Sequence, residues 1–150
     1  KNVAAYDKKV YDLNQKISAG QAAFAVVMVD LNQLKEVNDR FGHEKGNIAL
    51  QTLCRAVCRL YKHSPVYRIG GDEFVVILEG EDYDNRDALF QKVQAFERIR
   101  DLKAAQPWTQ LAASVGMAVY DQTCDATYQA VFNRADARMY EQKQHLAPRT

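Results

Sequence analysis

Apolar positions along this chain follow two rhythms. Val3, Tyr6, Val10, Leu13 and Ile17 recur every three or four residues, which predicts an amphipathic helix that stops at Gly20. The next stretch, AAFAVVMVD, loses that spacing. It is short, continuous and rich in Val, so it predicts a buried strand ending at Asp30. Leu31, Leu34, Val37 and Phe41 return to helical register, with Gly42 as a stop. NIALQTLCRAVCRLY predicts a second amphipathic helix. SPVYRI, opened by Pro65, and EFVVILEG predict two strands. Gly70, Gly71, Asp72 and Glu73 between them have the composition of a hairpin turn. Leu89, Phe90, Val93, Phe96 and Ile99 predict a helix over about 84–104, QLAASVGMAVY a strand, and about 127–144 a last helix. The hairpin makes at least one strand pair antiparallel, and the β-α crossovers suggest parallel neighbours. The expected fold is therefore α/β (α+β), a mixed central β-sheet flanked by helices.

Length and composition narrow the function classes. One domain of 150 residues with 47% hydrophobic and 26% charged residues can bury a core and stay in solution. The net charge of +1 gives no compositional support for a DNA or RNA partner. No apolar run approaches the roughly 20 residues of a membrane span, no signal peptide is visible, and no membrane contact is expected of this domain. The chain begins at Lys1 rather than Met, so it is expected to be a piece of something longer. Three Cys without a framework fit a reducing, cytoplasmic setting. Cys54 and Cys58, four apart on a helix, could form half a zinc site with His63, but two small buried hydrophobes is the reading adopted.

The acidic residues carry the chemistry. Asp30 ends a buried strand, and Asp72 and Glu73 sit at a hairpin tip. If the two strands are neighbours, the three carboxylates converge at one end of the sheet. Converging carboxylates repel and cost desolvation, and a hard divalent cation resolves that cost. Magnesium takes a few protein oxygens plus substrate phosphates, and the Leu31 carbonyl could add one oxygen. Gly70 and Gly71 tolerate positive φ and would let a ligand approach the backbone. The chain after Asp30 runs from a strand into the first turn of a helix, whose free N–H groups favour anions, with Lys35 nearby. Other readings exist. Asp72 and Glu73 could be solvated turn residues, Asn38 and Asp39 ordinary helix polarity, and His43 a simple helix-end residue. A calcium loop in DLNQLKEVNDRFG fails, because Leu34 stands at a ligand position and Lys35 at the turn glycine.

RIGGDEF carries the Gly-Gly-Asp-Glu-Phe signature of the GGDEF domains, the diguanylate cyclases. VDLNQLKEVNDRFGHEKGN resembles the family's D-x-(D/N)-x-F-K-x-x-N-D-x-x-G-H-x-x-G-D stretch, SVGMAVY its S-x-G-(I/V)-A strand, and ADARMYEQK its A-D-x-A-L-Y-x-A-K helix. KNVAAYD is similar to the tail of the family's D-x-L-T-G-x-x-N-R motif. The resemblance covers the chain in order. It implies a single domain over residues 1–150, truncated at its N-terminal edge, with a fold similar to the palm of polymerases and nucleotide cyclases. It also implies a bacterial signalling nucleotidyltransferase. Two GTP molecules, one in each domain of an antiparallel homodimer, would become cyclic di-GMP and two pyrophosphates with Mg²⁺ or Mn²⁺. By position, Asp30, Asp72 and Glu73 would be catalytic, and Asp30, Asp72 and the Leu31 carbonyl would hold metal. Asn32, Gln33 and Leu34 would offer backbone N–H groups to phosphate. Lys35 and Lys143 would lie near the phosphates, Gly70 and Gly71 against the substrate, and Asn38 and Asn47 at the guanine. An upstream sensory or receiver domain is implied as well.

The chain departs from the family at several points. Asn47 stands where the family usually has Asp. That carboxylate accepts from guanine N1–H and N2–H₂, whereas Asn offers one acceptor and one donor. The expected loss is on the order of 1–3 kcal/mol, with relaxed purine choice or weak turnover as the outcome. Ala147 replaces an Arg common four residues after the phosphate lysine, with Arg149 beyond it, and Leu34 replaces a Phe. Many members have an R-x-x-D product-inhibition site before the signature. Here that stretch is YKHS, residues 61–64, so no inhibitory site is expected. A diguanylate cyclase, a GTP-binding domain without turnover and a dimerisation module are the three functions to separate.

Overall fold

The structure is a computed structural model and describes residues 2–146. The helices are α1 (Val3–Ser18), α2 (Leu34–Phe41), α3 (His43–Leu60), α4 (Gly80–Asp84), α5 (Arg86–Gln94) and α6 (Tyr128–Leu146). The strands are β1 (Ala25–Leu31), β2 (Val66–Arg68), β3 (Glu73–Leu78) and β4 (Ala113–Val119), in sheet order β2-β3-β1-β4. Every residue of β1 is buried, as its unbroken apolar run requires. Alternate residues of β1 serve two cores. Val27, Val29 and Leu31 face Leu50, Leu53 and Val57 of α3, while Val26 and Met28 face Leu13 of α1 and Val131, Ala135 and Met139 of α6. The α6 helix can lie close on β4 because Gly116 has no side chain, as a Cβ there would overlap the backbone at Ala135 and Met139.

All named strand pairs are antiparallel, which corrects the expected parallel neighbours. The crossovers do join parallel strands, β1 to β2 and β3 to β4, but another strand lies between the members of each pair. Among the described residues, parallel pairing is confined to one bridge, Glu97 with Ala113. The helix expected over about 84–104 is also corrected. Helix α5 ends at Gln94, and the Phe96 carbonyl accepts from Ala113 N–H, so the chain leaves the helix to join the sheet. Ile99 is exposed and Arg100 is buried instead. Cys58 is exposed rather than buried, with its Sγ 4.0 Å from that of Cys54. Among the described residues no helix is long and apolar enough to cross a membrane.

Candidate active site at the acidic end of the sheet

Strand register brings the acidic residues together. Asp30 on β1 pairs directly with Glu73 on β3, and Leu31 N–H donates to the Asp72 carbonyl at 2.8 Å. Carboxylate oxygens of Asp30, Asp72 and Glu73 lie within 4.8 Å of one another. Arg68, the last residue of β2, braces the turn by donating from Nε to the Gly70 carbonyl (3.2 Å) and from Nη2 to the Gly71 carbonyl (2.7 Å). Gly70 and Gly71 do not adopt positive φ, which corrects the conformational reason given for them. A Cβ would meet nothing within 4 Å at Gly71 and only Glu73 Cβ, at 3.9 Å, at Gly70, so both positions border open space.

Asp30 is 3% exposed. Its Oδ2 accepts from Lys143 Nζ at 2.7 Å, while Oδ1 is buried with no hydrogen-bond partner. Burial lifts the carboxyl to about 6, with Asp72 and Glu73 adding to the rise and Lys143 opposing it. Glu73 is also raised, by burial and by the charges of Asp136 and Asp72. An orphaned carboxylate oxygen among two other carboxylates suits a hard divalent cation, so these donors fit Mg²⁺ or Mn²⁺.

Two cavities meet at this point. One, of about 270 Å³, is bounded by Gln33, Leu34, Lys35, Asp72, Ile99 and Lys143. The other, of about 390 Å³, is bounded by Lys35, Asn38, Asp39, His43, Gly71 and Asp72. Gln33, at φ 64°, bends the chain from β1 into α2. Asn32 is a correction, because its backbone N–H already donates to the Ala112 carbonyl at 2.8 Å and is not available to phosphate. Its buried side chain accepts from Ser114 Oγ (2.9 Å) and donates to the Arg98 carbonyl (3.0 Å). Lys143 lines the first cavity but points its ammonium at Asp30. Asn38 lies against Gly46, where a Cβ would overlap its carboxamide. Asn47, near the start of α3, is exposed and lies outside the residues that bound these two cavities. Ala147 and Arg149 lie outside the described residues.

In the YKHS stretch Tyr61 is buried, Ser64 half-buried, and Lys62 and His63 exposed. Asp82 Oδ2 accepts from His63 N–H (3.1 Å) and Ser64 Oγ (2.6 Å). Sequence reasoning missed Arg68, Ser114 and Arg100. Arg68 and Ser114 stand inside quoted motifs, three residues before Gly71 and at the head of SVGMA. Arg100 fell within the over-extended helix.

The family profile described as "Diguanylate cyclase, GGDEF domain" matches residues 2–148. Diguanylate cyclase DgcP of Escherichia coli is 32% identical over 126 residues, 80% of this chain and 35% of that protein. The bifunctional diguanylate cyclase/cyclic di-GMP phosphodiesterase MucR of Pseudomonas aeruginosa is 28% identical over 139 residues, 91% of this chain and 20% of that protein. The chain thus spans about a fifth to a third of the length of these relatives. The crystal structure of the GGDEF domain of YfiN from Pseudomonas aeruginosa matches at TM-score 0.69 and 26% identity, covering 97% of this chain and 91% of that one. Diguanylate cyclase SiaD, solved with its activator SiaC from the same organism, matches the fold at TM-score 0.73 and 24% identity, over 92% of this chain and 53% of that one. With its signature on the turn that meets Asp30, the chain belongs to the GGDEF domain family.

Proposed function

We propose that this domain is a diguanylate cyclase unit that binds GTP with Mg²⁺ or Mn²⁺ and makes cyclic di-GMP. The observation that carries the reading is the cluster of Asp30, Asp72 and Glu73 carboxylates beside a cavity, with Oδ1 of Asp30 buried and unpartnered. Asp30, Asp72 and the Leu31 carbonyl would hold the ion. When bound, it would acidify the 3′-hydroxyl and neutralise phosphate charge. Gln33 and Leu34 amides, Lys35 and Lys143 orient the phosphates, and Asn38 contacts the base. In each half-reaction the 3′-oxygen of one GTP bonds to the α-phosphorus of the other and pyrophosphate leaves. One domain holds one GTP, so a second copy must face it. The relatives' greater length supports a sensory or receiver domain elsewhere in the full protein.

A second reading, GTP binding without turnover that regulates a neighbouring domain, is favoured by one observation. Asn47 replaces the family's Asp and stands exposed. Product analysis at high protein concentration with Mg²⁺, offering GTP, ATP and both, separates the two. A cyclic dinucleotide establishes the enzyme, and its bases report the selectivity. Absence of product with Mg²⁺-dependent GTP binding in calorimetry supports the regulatory reading. Neither product nor binding overturns both.

A further inference from the structure

Arg100 is the most deeply withdrawn cation among the described residues, at 3% exposed. Its partners are all carbonyl oxygens. Nη1 donates to Pro107 (2.8 Å) and Gln110 (2.8 Å), and Nη2 to Asn32 (3.3 Å), while Nε is buried with no partner. Among the described residues no carboxylate pairs with it, and burial alone shifts its acidity, holding its pKa below the usual guanidinium range. Burying a charge without a counter-charge is costly even when its donors are satisfied, and three carbonyls offset only part of that cost.

The location suggests where the counter-charge comes from. Asn32 is the last residue before Gln33, whose left-handed backbone redirects the chain into α2. The Arg100 backbone N–H donates to the Gln33 side-chain Oε1. Arg100 therefore grips both residues of the turn from behind, by the carbonyl of one and the side chain of the other. The front of the same turn bounds the cavity shared with Lys35, Asp72 and Lys143. A carbonyl drawn back toward a cation turns the following peptide N–H toward the cavity, which is the orientation an anion needs. Ile99, next to Arg100, forms part of the cavity wall, so the segment after α5 is both wall and buttress.

We propose that Arg100 is a positioning residue for the phosphate end of the nucleotide: a buried cation, held only by carbonyl oxygens, that fixes the β1–α2 turn and finds its counter-charge in the bound phosphates. This rests on the nucleotide reading above and adds to it a residue that does not touch the ligand. Its signature is dependence on phosphate number, since an electrostatic contribution grows with ligand charge and a packing defect does not.

The test is calorimetry of wild type, Arg100→Lys and Arg100→Met with GTP, GDP and GMP in Mg²⁺. Arg100→Met is expected to weaken GTP roughly tenfold or more, GDP less and GMP least, with Arg100→Lys intermediate. Equal loss for all three ligands, or no loss in a folded variant, overturns the proposal. Wild type that binds none of them overturns the nucleotide reading itself, a different result from wild-type binding that Arg100→Met leaves unchanged. If Arg100→Met does not fold, the guanidinium Nε–H resonance of Arg100 in wild type decides. It is expected to move on adding Mg·GTP and to stay put with guanosine. A resonance unmoved by Mg·GTP refutes the role.

Discussion

Where β1 runs into α2, three polar side chains are almost wholly withdrawn from water. Asp30, Asn32 and Arg100 are each 5% exposed or less, and Ser114, Lys143 and the carbonyls of Arg98, Pro107 and Gln110 hold them. Across Lys35 and Asp72, the second cavity is bounded by side chains that are half-buried or exposed, and Asn47, outside its lining, is exposed. Rigid, desolvated groups strengthen electrostatic contacts, while exposed ones compete with water. On the proposed nucleotide reading, buried polar groups back the charged end of the cleft, whereas half-buried and exposed side chains form the base end. Affinity should come from metal and phosphate, and discrimination among purines should be weak.

The largest break in this comparison is Asp30→Asn. It removes the buried carboxylate on which the metal reading rests, so Mg²⁺-dependent turnover should fall by about 100-fold or more. The ion-free domain should at the same time become more stable, because a buried ionisable group with an unpaired oxygen is replaced by a neutral one. Steady-state rates and urea midpoints of the same preparation test this. A variant that keeps its rate would remove Asp30 from the site.

Gly46→Ala addresses the other end. The new methyl would displace the Asn38 carboxamide and crowd Leu34, whose Cδ1 would lie 3.3 Å away. The expected stability cost is about 1–3 kcal/mol. GTP affinity should fall roughly tenfold with loss of the base contact, while tripolyphosphate affinity is unchanged. An equal fall for both ligands would show that the two ends are not separable.

Asn47→Asp sharpens the comparison. A carboxylate restores two acceptors for guanine, so GTP affinity should rise about tenfold and the preference over ATP should widen. Unchanged GTP affinity would mean that residue 47 does not reach the base.

How far the sequence carried differs between the two ends. The site's acidic members were legible because each sits at a feature with its own signal: an apolar run that ends in Asp30, and a Gly-Gly turn that ends in Asp72 and Glu73. That Asp30 meets Glu73 was legible only on the condition that their strands are neighbours, because register is set by long-range pairing with no local mark, and the pairing of β1 with β3 meets that condition. The crossovers were read as parallel neighbours, yet β3 and β1 insert between the strands they join. Arg100 was hidden by periodicity. Leu89, Phe90, Val93 and Phe96 keep helical spacing, and nothing nearby announces that Phe96 leaves the helix to bond Ala113. A charged residue on a presumed exposed helix face gave no sign of burial. Gly70 and Gly71 were read for positive φ and for ligand approach to the backbone, and neither adopts positive φ. Local chemistry thus pointed to the candidate ligands, and tertiary contacts decided how they are held.

The smallest expected effect is one of pH, and it tests whether the charged end is strained without its ion. The Asp30 carboxyl is raised from 3.8 to about 6 in the folded, ion-free domain, chiefly by burial. A group whose folded pKa lies above its unfolded value binds more protons when folded. Its contribution to stability is fully present below about pH 4 and is lost as pH rises through about 6. Glu73, also raised, adds a change of the same sign. Glu79, held down by Lys16 and Lys9, works in the opposite direction, because its contribution is present above its unfolded value and is lost as pH falls. Urea midpoints in chelator from pH 4 to 8 will mix these trends, so the useful quantity is the difference between wild type and Asp30→Asn. That difference should widen as pH rises through about 6 and level off above 7. Saturating Mg²⁺ should reverse it for wild type alone, since the ion binds the deprotonated carboxylate. A difference that stays flat with pH would mean that Asp30 is already ionised and satisfied by Lys143, and that the charged end carries no strain for an ion to relieve.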